Sequence, residues 1–316
     1  MFRLVLTAAS AILLLAGLVA AKFEFSDRLG PRSPGVSGFY RHAPVDLLFV
    51  GSSHTRQGYD ARELERATSM SVYLVAYNGF DLASAEPLIA DLLANAATRP
   101  KVLVVEAYSL FLARKEGLQD PRYYFDSPPR WKKRIITNYL GSSERSGKYL
   151  DVFDLAVNRN NELILTYPLN ARLTASLSYN GASTGRGRPG VTAAQLAAFR
   201  PVLDGRVEVP AQLAALRRIV EDCRARHLPL YFIEPPMPAP ISGLDVTQRF
   251  KRRFREELSS ADVPYLDGDD GFDLSDPALF ADSNHLSSAG AVLFSQKVGS
   301  LLVRWIASLR APGKST

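Results

Sequence analysis

The stretch "VDLLFVGSSHTRQGYD" (residues 45–60) runs from a short apolar segment, broken only by Asp46, into a glycine, two serines and a histidine. Near-continuous apolar character over so few residues is the pattern of a strand buried on both faces, as in a parallel sheet. The polar residues behind it suit the start of a helix, where Ser52 or Ser53 can cap the first turn. Four later runs share the pattern: "SVYLVAY" (71–77), "KVLVVEA" (101–107), "LPLYFIE" (228–234) and "VPYLD" (263–267). Helical periodicity lies between them. In "AQLAALRRIVEDCRARH" (211–227) Leu213, Leu216, Ile219, Val220 and Cys223 share one face, and in "VTQRFKRRFREEL" (246–258) Val246, Phe250, Phe254 and Leu258 recur every fourth residue. The basic residues of that second stretch are assigned to a solvated face. The closing segment "SSAGAVLFSQKVGSLLVRWIASL" (287–309) reads as a long amphipathic helix. This alternation predicts an α/β three-layer sandwich around a mainly parallel five-stranded sheet.

With 316 residues and 47% hydrophobic composition the chain has enough apolar surface for a large core, and its net charge of +6 is spread among interleaved acids. The signatures of nucleic-acid-binding modules are missing, so no nucleic-acid partner is expected. A single cysteine, Cys223, excludes a disulfide framework and a Cys-rich metal site. Asp267, Asp269 and Asp270 in "LDGDDGFD" form the one dense acidic cluster and are read as a solvated turn instead of a calcium loop. Neither a metal nor a cofactor is expected.

Residues 4–21 contain no charge and only Thr7 and Ser10 as polar side chains, behind Met1-Phe2-Arg3. That is the length of a transmembrane helix. Residues 1–22 are therefore expected to be a signal anchor or a cleaved signal peptide, and either one sends the remaining chain out of the cytoplasm. Residues 23–44, rich in Gly, Pro and Ser, form a linker. The folded domain is expected over 45–310, with a tail at 311–316. An insertion at about 111–209, containing "DSPPRWKKR", "NRNNEL" and "STGRGRPG", breaks the strand and helix alternation; it suits a lid or substrate platform, or equally a peripheral subdomain.

In an open parallel sheet ligands bind beyond the carboxyl ends of the strands, which is where Gly51-Ser52-Ser53-His54 falls. A serine nucleophile needs a base, and there are four histidines. His42 lies in the linker, His227 precedes a buried strand, and His54 adjoins Ser53 too closely to swing round as its base. His285 remains, in "FADSNHLSSAG", with Asp282 three residues earlier. A carboxylate so placed can hold the Nδ1 proton and leave Nε2 to accept the serine proton. A second Gly-Ser-Ser, in "YLGSSER" (139–145), has no buried strand before it, so Ser143 is the weaker candidate.

The pair "FVGSSHT" and "DSNHL" resembles blocks I and V of the SGNH/GDSL hydrolase superfamily. The resemblance implies an SGNH/flavodoxin-like fold, with Ser53 as nucleophile, Asp282 as orienting acid and His285 as base. "YNGFDLAS" resembles block II and implies an oxyanion hole from the amides of Ser53 and Gly79, with Asn78 as an alternative. Two departures stand out. Block III normally supplies an oxyanion-hole asparagine after the third strand, where this chain has "VVEAYSLF", and neither Glu106 nor Tyr108 is its evident replacement; Ser52 also stands where the GDSL form has aspartate. Such patterns are similar to the membrane-anchored branches that O-acetylate alginate or peptidoglycan or transfer D-alanine to teichoic acid. The resemblance implies a serine O-acyltransferase or acylesterase with an acyl donor and a glycan acceptor as substrates. It places a single-pass protein in the inner membrane, its catalytic domain in the periplasm or outside, often beside a multispanning membrane acyltransferase. Signal cleavage would instead release it to the periplasm. The other function class is a catalytically silent SGNH-like glycan-binding or scaffold protein of an envelope assembly complex, favoured by the missing asparagine.

Overall fold

The computed structural model describes residues 35–113, 120, 123, 179–182, 190–203 and 206–310, with isolated positions 7, 10, 13, 14 and 17 near the N-terminus. The chain divides into two compact units, Met1–Gly38 with Pro121–Ser176, and Phe39–Asp120 with Leu177–Thr316. Only the second is described at length. Among the described residues no helix is long and apolar enough to cross a membrane. Most of the apolar segment 4–21, and Ser143 with its Gly-Ser-Ser, lie outside the described residues.

All five expected strands form: β1 (Leu47–Gly51), β2 (Val72–Ala76), β3 (Val102–Glu106), β4 (Leu230–Glu234) and β5 (Tyr265–Asp267). They make one sheet of order β2-β1-β3-β4-β5, and every pairing is parallel. The first four strands are buried at every position. That explains why their sequences show unbroken apolar runs instead of alternation.

The helices that matter for the site are α1 (Ser53–Gly58), α2 (Ala61–Thr68), α3 (Leu82–Ala94), α4 (Pro210–Ala225), α5 (Asp245–Ser260) and α6 (Ser288–Arg310). One core cluster joins Leu47 and Phe49 of β1, Val72 and Leu74 of β2, and Val102 and Val104 of β3 to Leu64 of α2 and Phe294, Val298, Leu302 and Ile306 of α6. Side chains alternate along a strand, so Leu48, Val50, Leu103 and Val105 face the other way, and they too are buried. On α4 the whole predicted stripe of Leu213, Leu216, Ile219, Val220 and Cys223 is buried. At about 1.5–3 kcal/mol for each large apolar side chain removed from water, these contacts dominate the stability of the layers.

Several parts of the expected insertion belong to the second unit, two of which were not anticipated as structure. Residues Ala193–Leu203 form a helix that the sequence pattern did not announce. Residues 179–182 lie along the outer side of β2, where the Leu74 N–H donates to the Asn180 carbonyl at 2.9 Å. This supplies the edge strand with an acceptor it would otherwise lack. Gly181 makes the approach possible: it has φ +86°, and a Cβ there would sit 1.9 Å from the Leu74 carbonyl oxygen.

Candidate active site

The strand order reverses direction between β1 and β3, and in open parallel sheets the carboxyl ends of the strands at such a point are where ligands bind. The chain leaves β1 at Gly51 and enters α1 at Ser53, with Ser52 as N-cap in extended conformation. The two serines thereby separate in role. The Ser52 Oγ accepts the His54 N–H at 3.2 Å, is fully buried, and donates to Glu106 Oε1 at 2.6 Å. The Ser53 Oγ points the other way and donates to His285 Nε2 at 2.7 Å, across 232 positions of sequence.

His285 is delivered by the loop between β5 and α6. That loop is pinned by an isolated antiparallel bridge from Phe280 to Leu286, both core residues, and by the Ala281 N–H donating to the His285 carbonyl at 2.9 Å. Within it Asp282 Oδ1 accepts the backbone N–H groups of Asn284 and His285, each at 2.9 Å. The same carboxylate accepts the His285 Nδ1–H at 2.9 Å on Oδ2 and 3.0 Å on Oδ1. Partial burial pushes the Asp282 carboxyl upward, but the His285 ring and the two backbone donors outweigh it, and the group rests below the ordinary aspartate range. An ionised Asp282 fixes the tautomer with the proton on Nδ1, so Nε2 is the acceptor that faces Ser53.

Glu106, at the end of β3, resolves the question raised by "VVEAYSLF". Its carboxylate turns under the elbow and accepts four hydrogen bonds: from the Ser52 N–H at 2.7 Å, the Ser52 hydroxyl, the Thr55 N–H at 3.0 Å and the Thr55 hydroxyl at 2.6 Å. A carboxylate can only accept in this arrangement, so Glu106 does not stand in for an oxyanion donor; it holds the turn that carries Ser53. Burial pushes its pKa up, but the His54 ring and these donors hold it below the ordinary glutamate range. Gly51 leaves room for this carboxylate. A Cβ at position 51 would lie 2.1 Å from Thr55 Oγ1 and 2.5 Å from Glu106 Oε2. Gly51→Ala is expected to destabilise the chain by about 1–3 kcal/mol through overpacking of the elbow, read as a lower midpoint in thermal denaturation. An unchanged midpoint would show that the elbow yields without cost.

The loop after β2, which carries "YNGF" (77–80), lies beside the elbow, tied to it by the Tyr77 N–H donating to the Gly51 carbonyl at 3.1 Å. Gly79 takes φ +61° there. Its N–H and that of Ser53 have no acceptor among the described residues. Asn78 is placed differently: its N–H donates to Asp120 Oδ2 at 2.7 Å and its Oδ1 accepts from Arg56 Nη2 at 2.7 Å. Among the described residues there is no group of His, Cys, Asp and Glu side chains that could hold a metal ion.

Two readings of charged residues need correction. Asp267 and Asp269 do not form a solvated turn. Both accept from Lys251 Nζ, Asp267 Oδ1 at 2.6 Å, and Asp267 is buried. Lys251, assigned by pattern to a solvated helix face, is 1% exposed. It lies next to Phe250 on α5, so its carboxylate partners, not helical periodicity, decide where it points.

Sequence reasoning did not find the Glu106–Ser52–Thr55 anchor or the place of His54, whose ring lies against that of His285. The available signal was that apolar strands end abruptly in acids, in "VVEA" and "FIEP".

No protein-family model matches the chain, and no curated protein matches it. Among solved structures the chain is similar to the crystal structure of the lipase Lip_vut3 from a goat rumen metagenome, with 12% sequence identity, 80% of this chain and 95% of that chain covered, and a TM-score of 0.35. The chain is an α/β protein with a five-stranded parallel sheet and a linked Ser, His and Asp at the carboxyl edge of that sheet.

Proposed function

We propose that this chain is an extracytoplasmic SGNH-type serine acyl-ester enzyme, an O-acyltransferase or acylesterase acting on a cell-envelope or exported glycan. The observation that carries the reading is the continuous hydrogen-bonded line from the Ser53 hydroxyl through His285 to Asp282. Ser53 Oγ attacks the ester carbonyl while His285 Nε2 takes its proton, and Asp282 stabilises the imidazolium. The amides of Ser53 and Gly79 receive the developing oxyanion. Collapse of the tetrahedral adduct breaks the acyl–oxygen bond, His285 returns the proton to the leaving alcohol, and acyl-Ser53 remains. A glycan hydroxyl or water, deprotonated by His285, then takes the acyl group and regenerates the serine. The apolar segment 4–21 would hold the domain at the outer face of the inner membrane, beside a multispanning acyltransferase that supplies the acyl group; signal cleavage would leave it in the periplasm.

The test is incubation of the purified full-length chain with a fluorophosphonate probe and with an activated acetyl ester, followed by peptide mapping of the label. Label on Ser53 with release of the leaving alcohol is the expected result. A folded chain that takes up neither reagent would favour the silent glycan-binding or scaffold protein, for which Glu106 in the place of an oxyanion donor is the supporting observation.

A further inference from the structure

We infer that His54 is a positioning residue for His285: a buried imidazole plate, held at its Nδ1 edge by Ser52 and Glu106, against which the ring of the base is seated. The inference rests on the reading of Ser53, His285 and Asp282 as a proton-transfer line.

His285 needs such support. Its ring is hydrogen-bonded to Asp282, three residues away on its own loop, and to the Ser53 hydroxyl that it must deprotonate. Those bonds act along the ring edge and leave its tilt about the Nδ1 to Nε2 line unset. His54 meets the flat face, with ring centroids 4.8 Å apart and planes inclined by 18°. That is an offset-stacked geometry. His54 also packs against Tyr108, with ring centroids 4.0 Å apart and planes inclined by 31°, and Tyr108 against Phe111 at 5.0 Å and 81°. The base thus rests on a cluster of rings whose other members, His54, Tyr108 and Phe111, are buried.

The in-plane position of the plate is also set. His54 Nδ1 lies 2.8 Å from the Ser52 hydroxyl and 3.4 Å from Glu106 Oε1. Because the Ser52 hydroxyl already donates to Glu106, its oxygen is left to accept, and Nδ1 carries the proton. Among the described residues His54 Nε2 is buried without a hydrogen-bond partner. The ring therefore acts through its face. Glu106 also holds the Ser52 and Thr55 amides on either side of the nucleophile. One carboxylate is thereby the common reference for the serine and for the plate that orients its base.

The charge state suits the role. A base that accepts the serine proton becomes a cation lying on its neighbour, which a neutral ring tolerates and a protonated ring repels. The ionisable groups around His54 are Glu106, His285, Asp282 and Tyr108. Burial drives the His54 pKa below the ordinary histidine range; Glu106 opposes this, and His285 adds to it.

The experiment compares wild type, His54→Ala and His54→Phe as full-length chains, with thermal denaturation alongside. One readout is the second-order rate of fluorophosphonate labelling, expected to fall about tenfold to a hundredfold in His54→Ala and to recover in His54→Phe, which restores a flat face without the hydrogen bond to Ser52. The other needs no activity: the downfield proton resonance of the His285 Nδ1–H bonded to Asp282, identified by its loss in His285→Ala and followed in a Ser53→Ala background. It is expected to broaden or vanish in His54→Ala and to persist in His54→Phe. If the wild type does not label but this resonance depends on residue 54 as described, the acyl-enzyme reading fails and the positioning role stands. A resonance unchanged in folded His54→Ala would overturn the proposal. So would a loss of labelling that tracks the unfolded fraction equally in both variants.

Discussion

Ser53→Ala is expected to abolish fluorophosphonate labelling and to lower turnover of an activated ester by at least about ten-thousandfold, the scale on which removing a triad nucleophile acts. The neighbouring Ser52→Ala is expected to keep the label. The contrast comes from where the two hydroxyls point. Ser53 Oγ is bonded to His285, whereas Ser52 Oγ is buried and bonded to Glu106 and His54. Removing the Ser52 hydroxyl leaves a buried carboxylate oxygen and the His54 N–H short of a partner, which costs stability on the order of 1–3 kcal/mol while the Ser53 hydroxyl stays in place. The pair therefore separates chemistry from folding: one variant loses reaction at unchanged stability, and the other loses stability with its reactive group intact. Peptide mapping of the label and thermal denaturation together read the outcome. Turnover that survives in Ser53→Ala, or label that maps to Ser52, would sink the acyl-enzyme reading.

The sheet was legible because burial on both faces writes itself into the sequence as unbroken apolar runs; all five were found within two residues of their ends. The meeting of Ser53 and His285 was legible for a related reason. Both lie just beyond strands of one parallel sheet, and parallel strands carry the loops at their carboxyl ends to the same edge. The partner of each buried polar group could not be read in this way. "VVEA" shows that a strand ends in an acid, but not that Glu106 turns back under the elbow to collect the Ser52 and Thr55 donors. "RFKRRFREEL" shows apolar positions on a basic helix, but not that Lys251 turns inward, because its carboxylates come from β5 and the turn behind it. Periodicity reports the average environment of a helix face. Pairing is a property of the tertiary arrangement, and a local pattern does not contain it.

Lys251→Met is expected to cost about 3–5 kcal/mol, the range for breaking a buried ion pair from one side. Methionine fills the space of the lysine stem but leaves Asp267 and Asp269 near the core without their cation; Arg255, at 3.2 Å from Asp267, remains in reach. The lysine stays charged in place: burial works against the ammonium, and Glu234, Asp269 and Asp267 together outweigh burial and raise its pKa. The first of these carboxylates behaves in the opposite sense. Glu234 is 0% exposed and accepts from the Ser109 N–H, the Ser109 hydroxyl and the Tyr265 hydroxyl. Even so, burial pushes its pKa up to about 7, against the pull of Lys251, with Asp267 adding to the rise. Lys251 and Arg255 pair with Asp267 and Asp269, and Lys297 also interacts with Asp267, Asp269 and Asp270. A carboxyl whose folded pKa is raised favours the folded state fully below its unfolded pKa, near 4.5, and that contribution is lost as pH rises toward 7. The difference is worth about 3 kcal/mol. Glu234→Gln keeps an acceptor for Ser109 and offers an N–H to the Tyr265 oxygen without a charge to bury. It is therefore expected to be more stable than wild type at pH 8 and to lose most of that advantage at pH 5, in denaturant unfolding at the two pH values. An equal difference at both would show that Glu234 does not take up its proton on folding.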